Sequence, residues 1–219
     1  MHLDAVKYVS KSVTMNQSKS KKSGAYHHGD LKSALIRSAI EIVEEGGLDQ
    51  LSLRGVAKHA GVSRAAPYHH FANKQEMLAA VAAAGFRSLT ANMLEKADGY
   101  ADPREKLDRL GFGYVDFSVN RSDLFRLMQG PEFQVPGIYP DLDTARAASA
   151  GLLMNAVSDC LANASKDKIH AAASAAWSIV HGMTLLVIDG RMATVVSVDD
   201  LEDAAMSITQ HLNLNGQKT

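Results

Sequence analysis

One cysteine, Cys160, is all that this chain of 219 residues holds. That excludes a disulfide within the chain and suits a reducing compartment. No Cys-x-x-Cys or Cys/His spacing points to structural zinc. Long hydrophobic runs are also missing. The apolar stretches are interrupted by Gly, Ser or charge, so no membrane span is expected. The opening MHLDAVKYVSKSVTMNQ lacks the apolar centre of a secretory signal. The expected location is the cytoplasm. Strand-like alternation is scarce, and so are the signatures of catalysis. There is no GxGxxG, no P-loop and no HExxH, and Gly61-Val62-Ser63-Arg64-Ala65 lacks the second glycine of a nucleophile elbow. An enzyme is not expected, and neither is a cofactor. His27, His28 and Asp30 could suggest a metal site, but adjacent histidines rarely converge on one ion, so no metal is expected.

Net charge is scarce as well, −1 over the whole chain. Taken alone, that argues against a nucleic-acid partner. Its distribution argues the other way. Residues 1–74 carry 11 Lys/Arg against 6 Asp/Glu, residues 75–219 carry 12 against 18, and five of the nine histidines fall between His27 and His70. A small basic head on an acidic body is the pattern of a DNA-binding module joined to a different functional domain.

What the chain has in quantity is helical periodicity. Residues 1–25, rich in Ser, Lys and Gly near their end, read as a disordered basic tail. Asp30 reads as an N-cap for a helix over 31–45, with Leu31, Leu35, Ile36, Ala39, Ile40 and Val43 along one stripe and Gly46-Gly47 as a left-handed stop. Ser52 caps a second helix that turns Leu53, Val56, Ala57 and Ala60 inward. Gly61 supplies a positive φ at the turn. Ser63 caps a third helix over about 64–70, and Pro67 is tolerable that close to its start. Asn73 opens a long helix to Lys96. Further helices are expected over 103–119, 121–129, 142–164, 168–189 and 198–212, the last capped by Ser197. A loop rich in Pro and Gly spans 130–140. The fold class is all-α, with about nine helices.

Ser52 to Phe71, SLRGVAKHAGVSRAAPYHHF, therefore has the form of a helix-turn-helix, which lays its second helix in the DNA major groove. Gly61-Val62-Ser63, the run Tyr68-His69-His70-Phe71, Lys74, and Tyr26-His27-His28-Gly29-Asp30-Leu31 upstream resemble the DNA-binding end of the tetracycline-repressor family of transcription regulators. The resemblance makes the helix after Ser63 the recognition helix. Arg64 is long enough to reach a guanine edge or a phosphate, and Ala65 and Ala66 let the helix approach closely or touch a thymine methyl. Pro67 and His70 lie on the same short element. Tyr68 and Lys74 are expected on phosphate and His69 on a phosphate or a base, with Ser52, Ser63 and Arg54 as further contacts. Double-stranded DNA is the expected partner.

Trp177-Ser178-Ile179-Val180-His181-Gly182 carries a W-x-x-x-H-G pattern that resembles the WHG type of C-terminal domain of the same family. The resemblance implies an N-terminal three-helix DNA-binding domain (26–75) and a helical regulatory and dimerisation domain (76–219). Relatives pair through their last two long helices, which points to a homodimer through Val180, Thr184, Leu185, Ile188, Leu201, Ala205, Ile208 and Leu212. Relatives also bind a small inducer in the body. Phe86, Met93, Phe112, Tyr114, Phe117, Met128, Phe133, Trp177 and His181 are the candidate lining, since Met and aromatics suit an adaptable apolar pocket. The expected function is a ligand-released repressor on a near-palindromic operator. The alternative is a DNA-binding protein of this fold whose body docks a protein instead of an inducer.

Overall fold

The computed structural model describes residues 28–192 and 201–210, with side chains over 31–192 and 201–206. The expected tail, Ser197 and Leu212 lie outside the described residues, as does the Ile208 side chain. Eight α-helices follow one another: α1 (His28–Gly46), α2 (Leu53–His59), α3 (Lys74–Lys96), α4 (Pro103–Asn120), α5 (Ser122–Met128), α6 (Pro140–Cys160), α7 (Lys166–Ile188) and α8 (Leu201–Gln210). Short 3₁₀ turns occupy Leu48–Gln50, Ala66–His69 and Pro131–Phe133. No strand occurs among the described residues.

Local chemistry sets most of the helix starts. Ser52 Oγ accepts from Gly55 N at 3.1 Å, Asn73 Oδ1 from Glu76 N at 2.9 Å, and Asp102 Oδ1 from the amides of Arg104 and Glu105 at 2.9 Å. Each bond satisfies donors that a first helical turn leaves open. Asp30 has a different place: α1 starts at His28, so Asp30 lies inside its first turn. The stop of α1 also differs from the expected left-handed cap. Gly47 has φ 78° and ψ 170°, a region open almost to glycine alone, while its N–H donates to Val43 O at 2.9 Å.

α2 ends in a Schellman motif. Gly61 N donates to Lys58 O at 3.2 Å and Val62 N to Ala57 O at 2.9 Å, with Gly61 at φ +68°. This cap turns the chain sharply into the segment over 63–70. The expected third α-helix is instead the 3₁₀ turn Ala66–His69. Pro67 is the cause. It has no N–H to give Ser63 O, which instead accepts from Ala66 N at 3.0 Å, and Tyr68 N then donates to Ala65 O at 3.1 Å. The N-cap of this turn is Ala65 rather than the expected Ser63, and no side chain caps it. At the far end, α6 stops at Cys160, four residues before the expected Ala164, and the chain turns through Asn163 at φ 71°.

One continuous set of buried side chains runs from Leu35 in α1 to Ala205 in α8. Leu35, Ala39 and Val43 form the inner stripe of α1 at four-residue spacing, all fully buried. α3 is the shared beam. It packs on α1 at one end and on α4, α5 and α6 along its length. The Arg121 guanidinium on Glu44 ties the α4–α5 junction back to α1, and Arg87 pairs Asp141 across α3 and α6.

Candidate nucleic-acid interface and ligand cavity

The turn after Gly61 presents a mixed face. Ser63, Arg64, Ala65, Tyr68 and His69 are exposed, as are Ser52, Arg54 and Lys74 on the flanking helices. Tyr68 is about half exposed, at 52%. Its body is therefore not a core plug, and its hydroxyl is available to a phosphate. Ala66 and Pro67 differ from expectation. Both are buried, because the 3₁₀ turn aims them at the protein, so neither can touch a base as the segment stands. His70 is half-buried, with its ring edge-on to Phe71 at 6.4 Å. Phe71 is 1% exposed and lies beneath Lys32 of α1, whose ammonium is 5.7 Å from the ring centre.

Lys74 occupies the first residue of α3. The Asn73 cap sits beside it, and the Glu76 carboxylate folds back to accept from Ala72 N at 2.6 Å. The ammonium and the open amides of the helix start thus occupy one corner, which favours an anion.

A partly open cavity of about 340 Å³ lies between α3, α4, α6 and α7. That volume lies within the range of small-molecule sites. Of the expected lining, Phe86, Met93, Tyr114 and Trp177 face it. The other five are packed elsewhere. Phe112 lies under Lys96 and Phe117 under Arg121. Met128 fills the space above Gly85, where a Cβ would stand 2.5 Å from its sulfur. Phe133 stacks edge-on to Tyr139. His181 sits behind Tyr114, with its Nδ1 2.8 Å from the phenolic oxygen. Leu107, Leu110, Leu153 and Met154 complete the apolar wall, while Arg146, Gln129, Gln134 and Ser149 supply polar groups. Sequence reading missed these. Arg146 carried a signal, being the one cation in the otherwise small and apolar or acidic α6.

Phe125 is fully buried and stands edge-on to Tyr114 at 5.8 Å and also 5.8 Å from His181. It pins the pair. Burial pushes the Tyr114 phenol above its ordinary pKa and the His181 imidazole below its own. Both are then neutral near pH 7, and the bond is satisfied with the phenol donating and Nδ1 accepting, which leaves the ring proton on Nε2. Because the folded state holds the His181 pKa below its unfolded value, the unfolded chain binds the extra proton first. Stability from this group is complete above about pH 6.5 and falls as the pH drops below it. Thermal melts of wild type and His181→Asn between pH 7.5 and 5.5 should diverge, with the wild type losing more melting temperature toward acid. Parallel curves would remove the argument.

The apolar surface of α7 faces two ways. Ala173, Ala176, Val180, Met183 and Thr184 turn inward. Ala171, Ala175, Ile179 and Leu186 are exposed on another face, with Gly182 half-buried among them. The expected pairing face therefore needs correction. Val180 and Thr184 are buried within their own chain, as is Ala205 of α8, while Leu185, Ile188 and Leu201 pack partly against the same core. α3 and α7 are each long and apolar enough to cross a membrane. α3 reaches that mark as a core helix, while α7 keeps much of its apolar surface outside its own fold.

An α-helix, a glycine turn and a short 3₁₀ segment stand at the head of an all-helical body that holds an apolar cavity. Residues 35–81 match the bacterial regulatory proteins of the tetR family, and residues 107–209 match the tetracyclin repressor-like C-terminal domain. The chain belongs to the tetR family. It is 35% identical over 75 residues to the HTH-type nicotine-responsive transcriptional repressor HdnoR of Paenarthrobacter nicotinovorans, a match over 34% of this chain and 39% of that repressor. The chain thus spans well under half the length of such curated relatives. Among solved structures, a protein of unknown function from Rhodococcus sp. RHA1 is 32% identical with a TM-score of 0.72, over 86% of this chain and 98% of that one. A transcriptional regulator from Rhodococcus sp. Rha1 is 25% identical with a TM-score of 0.60, over 83% and 95%.

Proposed function

We propose that this chain is a cytoplasmic transcriptional repressor that grips a near-palindromic operator as a homodimer and lets go when a small, largely apolar ligand fills the body. One observation carries the reading: α3 serves both ends. Its first residue, Lys74, stands at the corner that this reading turns toward DNA, and Phe86, about 18 Å along the same helix at 1.5 Å per residue, lines the cavity. A ligand that prefers one placement of α3 therefore biases where the reading turn sits, to the extent that its affinity for the two placements differs. The loop after α5 adds a second link. Gln129 and Gln134 line the cavity, while Ile138 and Tyr139 line a crevice with Phe71 and Asn73. The reading assigns no reaction to the Tyr114–His181 pair.

One reading turn gives too little contact for a specific site, and two copies set about 34–36 Å apart, or a multiple of that, would match successive major grooves. The exposed α7 face through Ala175, Ile179, Gly182 and Leu186 is the surface offered for pairing, with small residues letting helices approach. At Gly182 a Cβ would meet nothing within 4 Å in its own chain. Gly182→Leu should therefore leave the helical content and protomer fold intact while turning a dimer into a monomer in sedimentation velocity, and weakening operator binding with it. A variant that remains dimeric would place the interface elsewhere. Selection of bound fragments from genomic DNA, followed by gel shifts with and without candidate ligands, tests the repressor reading. Absence of any preferred sequence would defeat it.

A further inference from the structure

We propose that the cavity takes an apolar acid, and that Arg146 holds its carboxylate. The proposal rests on the ligand-responsive reading above and gives that ligand a chemistry. Arg146 is the one charged side chain in the cavity wall, and no acidic side chain lines it among the described residues. Its guanidinium is half-provided for. One face lies over the Phe86 ring, 5.4 Å from its centre. Nη1 is 3.8 Å from Asp143 Oδ1, too far for a hydrogen bond. The other oxygen of Asp143 accepts from Gly137 N at 2.7 Å. Nη2 has no hydrogen-bond partner and is shut off from solvent, while the side chain as a whole keeps 29% of its surface exposed, so the fork has to turn within the wall to present both donors to a ligand.

A buried cationic N–H without an acceptor is costly, and such a group calls for an explanation in what it binds. A carboxylate is the group that answers it best. It accepts from the guanidinium in two parallel bonds, and Ser149, one helical turn on from Arg146 and also in the wall, offers a hydroxyl beside it. An alcohol or ketone can take one such bond but adds no charge to the guanidinium, whose counter-ion is then Asp143 alone at 3.8 Å. An amine would set one cation against another. The rest of the wall, from Leu107 and Leu110 to Leu153 and Met154, rewards an apolar body. Burying a carboxylate in such a wall would be prohibitive without Arg146.

The experiment uses the full chain and three matched probes: decanoate, decan-1-ol and decylamine. Trp177 is the only tryptophan and lies in the cavity wall, so its fluorescence reports occupancy, with calorimetry as a second readout. Decanoate should bind at least tenfold more tightly than decan-1-ol, and decylamine more weakly than either. Arg146→Gln should cost decanoate tenfold or more while leaving decan-1-ol within about twofold. Arg146→Lys, which keeps the charge without the fork, should fall between. If Arg146→Gln fails to fold, the acid-to-alcohol ratio in wild type and in Arg146→Lys decides the matter. Equal binding of acid and alcohol to the wild type, or indifference of decanoate to either substitution, overturns the proposal and leaves the ligand-released repressor standing. Binding of none of the three probes removes the ligand cavity itself, and the proposal falls with it.

Discussion

Replacing Lys74 by alanine should weaken binding to every duplex alike, by about 100-fold for a dimer, and Tyr68→Phe should act in the same direction. Lys74 is exposed at the first turn of α3, with its neighbouring backbone amides partly free and the Glu76 carboxylate drawn back to Ala72 N. An ammonium at a helix start is suited to a phosphate oxygen, and a hydrogen bond to a charged partner contributes about 1.5–3 kcal/mol. The lower figure is already a factor of about ten, and a dimer would make the contact twice. Losing two phosphate contacts should also reduce the slope of log affinity against log salt by about 2. Tyr68→Phe removes only a hydroxyl at a half-exposed ring, so its fold cost is small and its effect is a direct reading of contact. Arg64→Ala is the contrasting variant. It should alter which sequence is preferred rather than lower all affinities together, because a long donor at the front of the turn can fork to a guanine edge. Gel shifts over a salt series with several duplexes separate the two patterns. Unchanged affinity and slope in Lys74→Ala would move the DNA face away from this corner.

The second large effect is on the fold itself. Gly113→Val should lower the melting temperature by roughly 5–10 °C, from a loss of about 2–3 kcal/mol at about 2–4 °C per kcal/mol for a chain of this size. A Cβ at Gly113 would lie 2.8 Å from the Met93 Cα and 3.2 Å from the Asn92 carbonyl oxygen. Both are backbone atoms of α3, which cannot swing aside as a side-chain tip would. Asn92 Nδ2 also donates to Gly113 O at 2.7 Å, so the close approach is bonded as well as packed. Spreading α3 from α4 would cost that bond and widen the wall next to the cavity. A calorimetric melt unchanged to within a degree would show that the two helices adjust at no cost. Gly85 makes a useful comparison. The two closest atoms it would meet belong to the flexible Met128 side chain, with the tip of Leu124 at 3.4 Å, so Gly85→Ala should be the milder substitution.

Much of this architecture was legible because its causes are local. Ser52, Asn73 and Asp102 announce helix starts by bonds to amides two or three residues away, and Gly61 announces the turn by a φ that other residues avoid. The consequence of Pro67 was not legible in the same way. Whether a proline near a helix start is absorbed or tightens the whole turn depends on how the following residues are held, here by burial of Ala66, Pro67 and Phe71. The inward face of α7 was hidden for another reason. Apolar residues lie nearly all round it, so periodicity cannot say whether Val180 and Thr184 or Ile179 and Leu186 meet the core. The cavity wall has the same difficulty. Phe117 and Phe86 are equally plausible by type, and only the packing of α6 against α3 decides which one faces empty space. Arg146 stood out by charge in its helix, yet charge on a helix is most often a solvated face.

In the proposed function, the turn after Gly61 governs how such a protein would change its target over time. Ala66–His69 is shaped less by a helix of its own than by the Schellman bonds before it and the Asn73 cap after it. Labour is divided by position: Ala66, Pro67 and Phe71 are anchored inside, while Arg64, Ala65, Tyr68 and His69 project outward. Exchanges at Arg64, Ala65 and His69 remove no cap and no buried side chain, and Tyr68 gives up only the half of its ring that is covered. On the proposed function, the recognised sequence can therefore drift, or be rewritten by a designer, while the scaffold that presents it stays as it is.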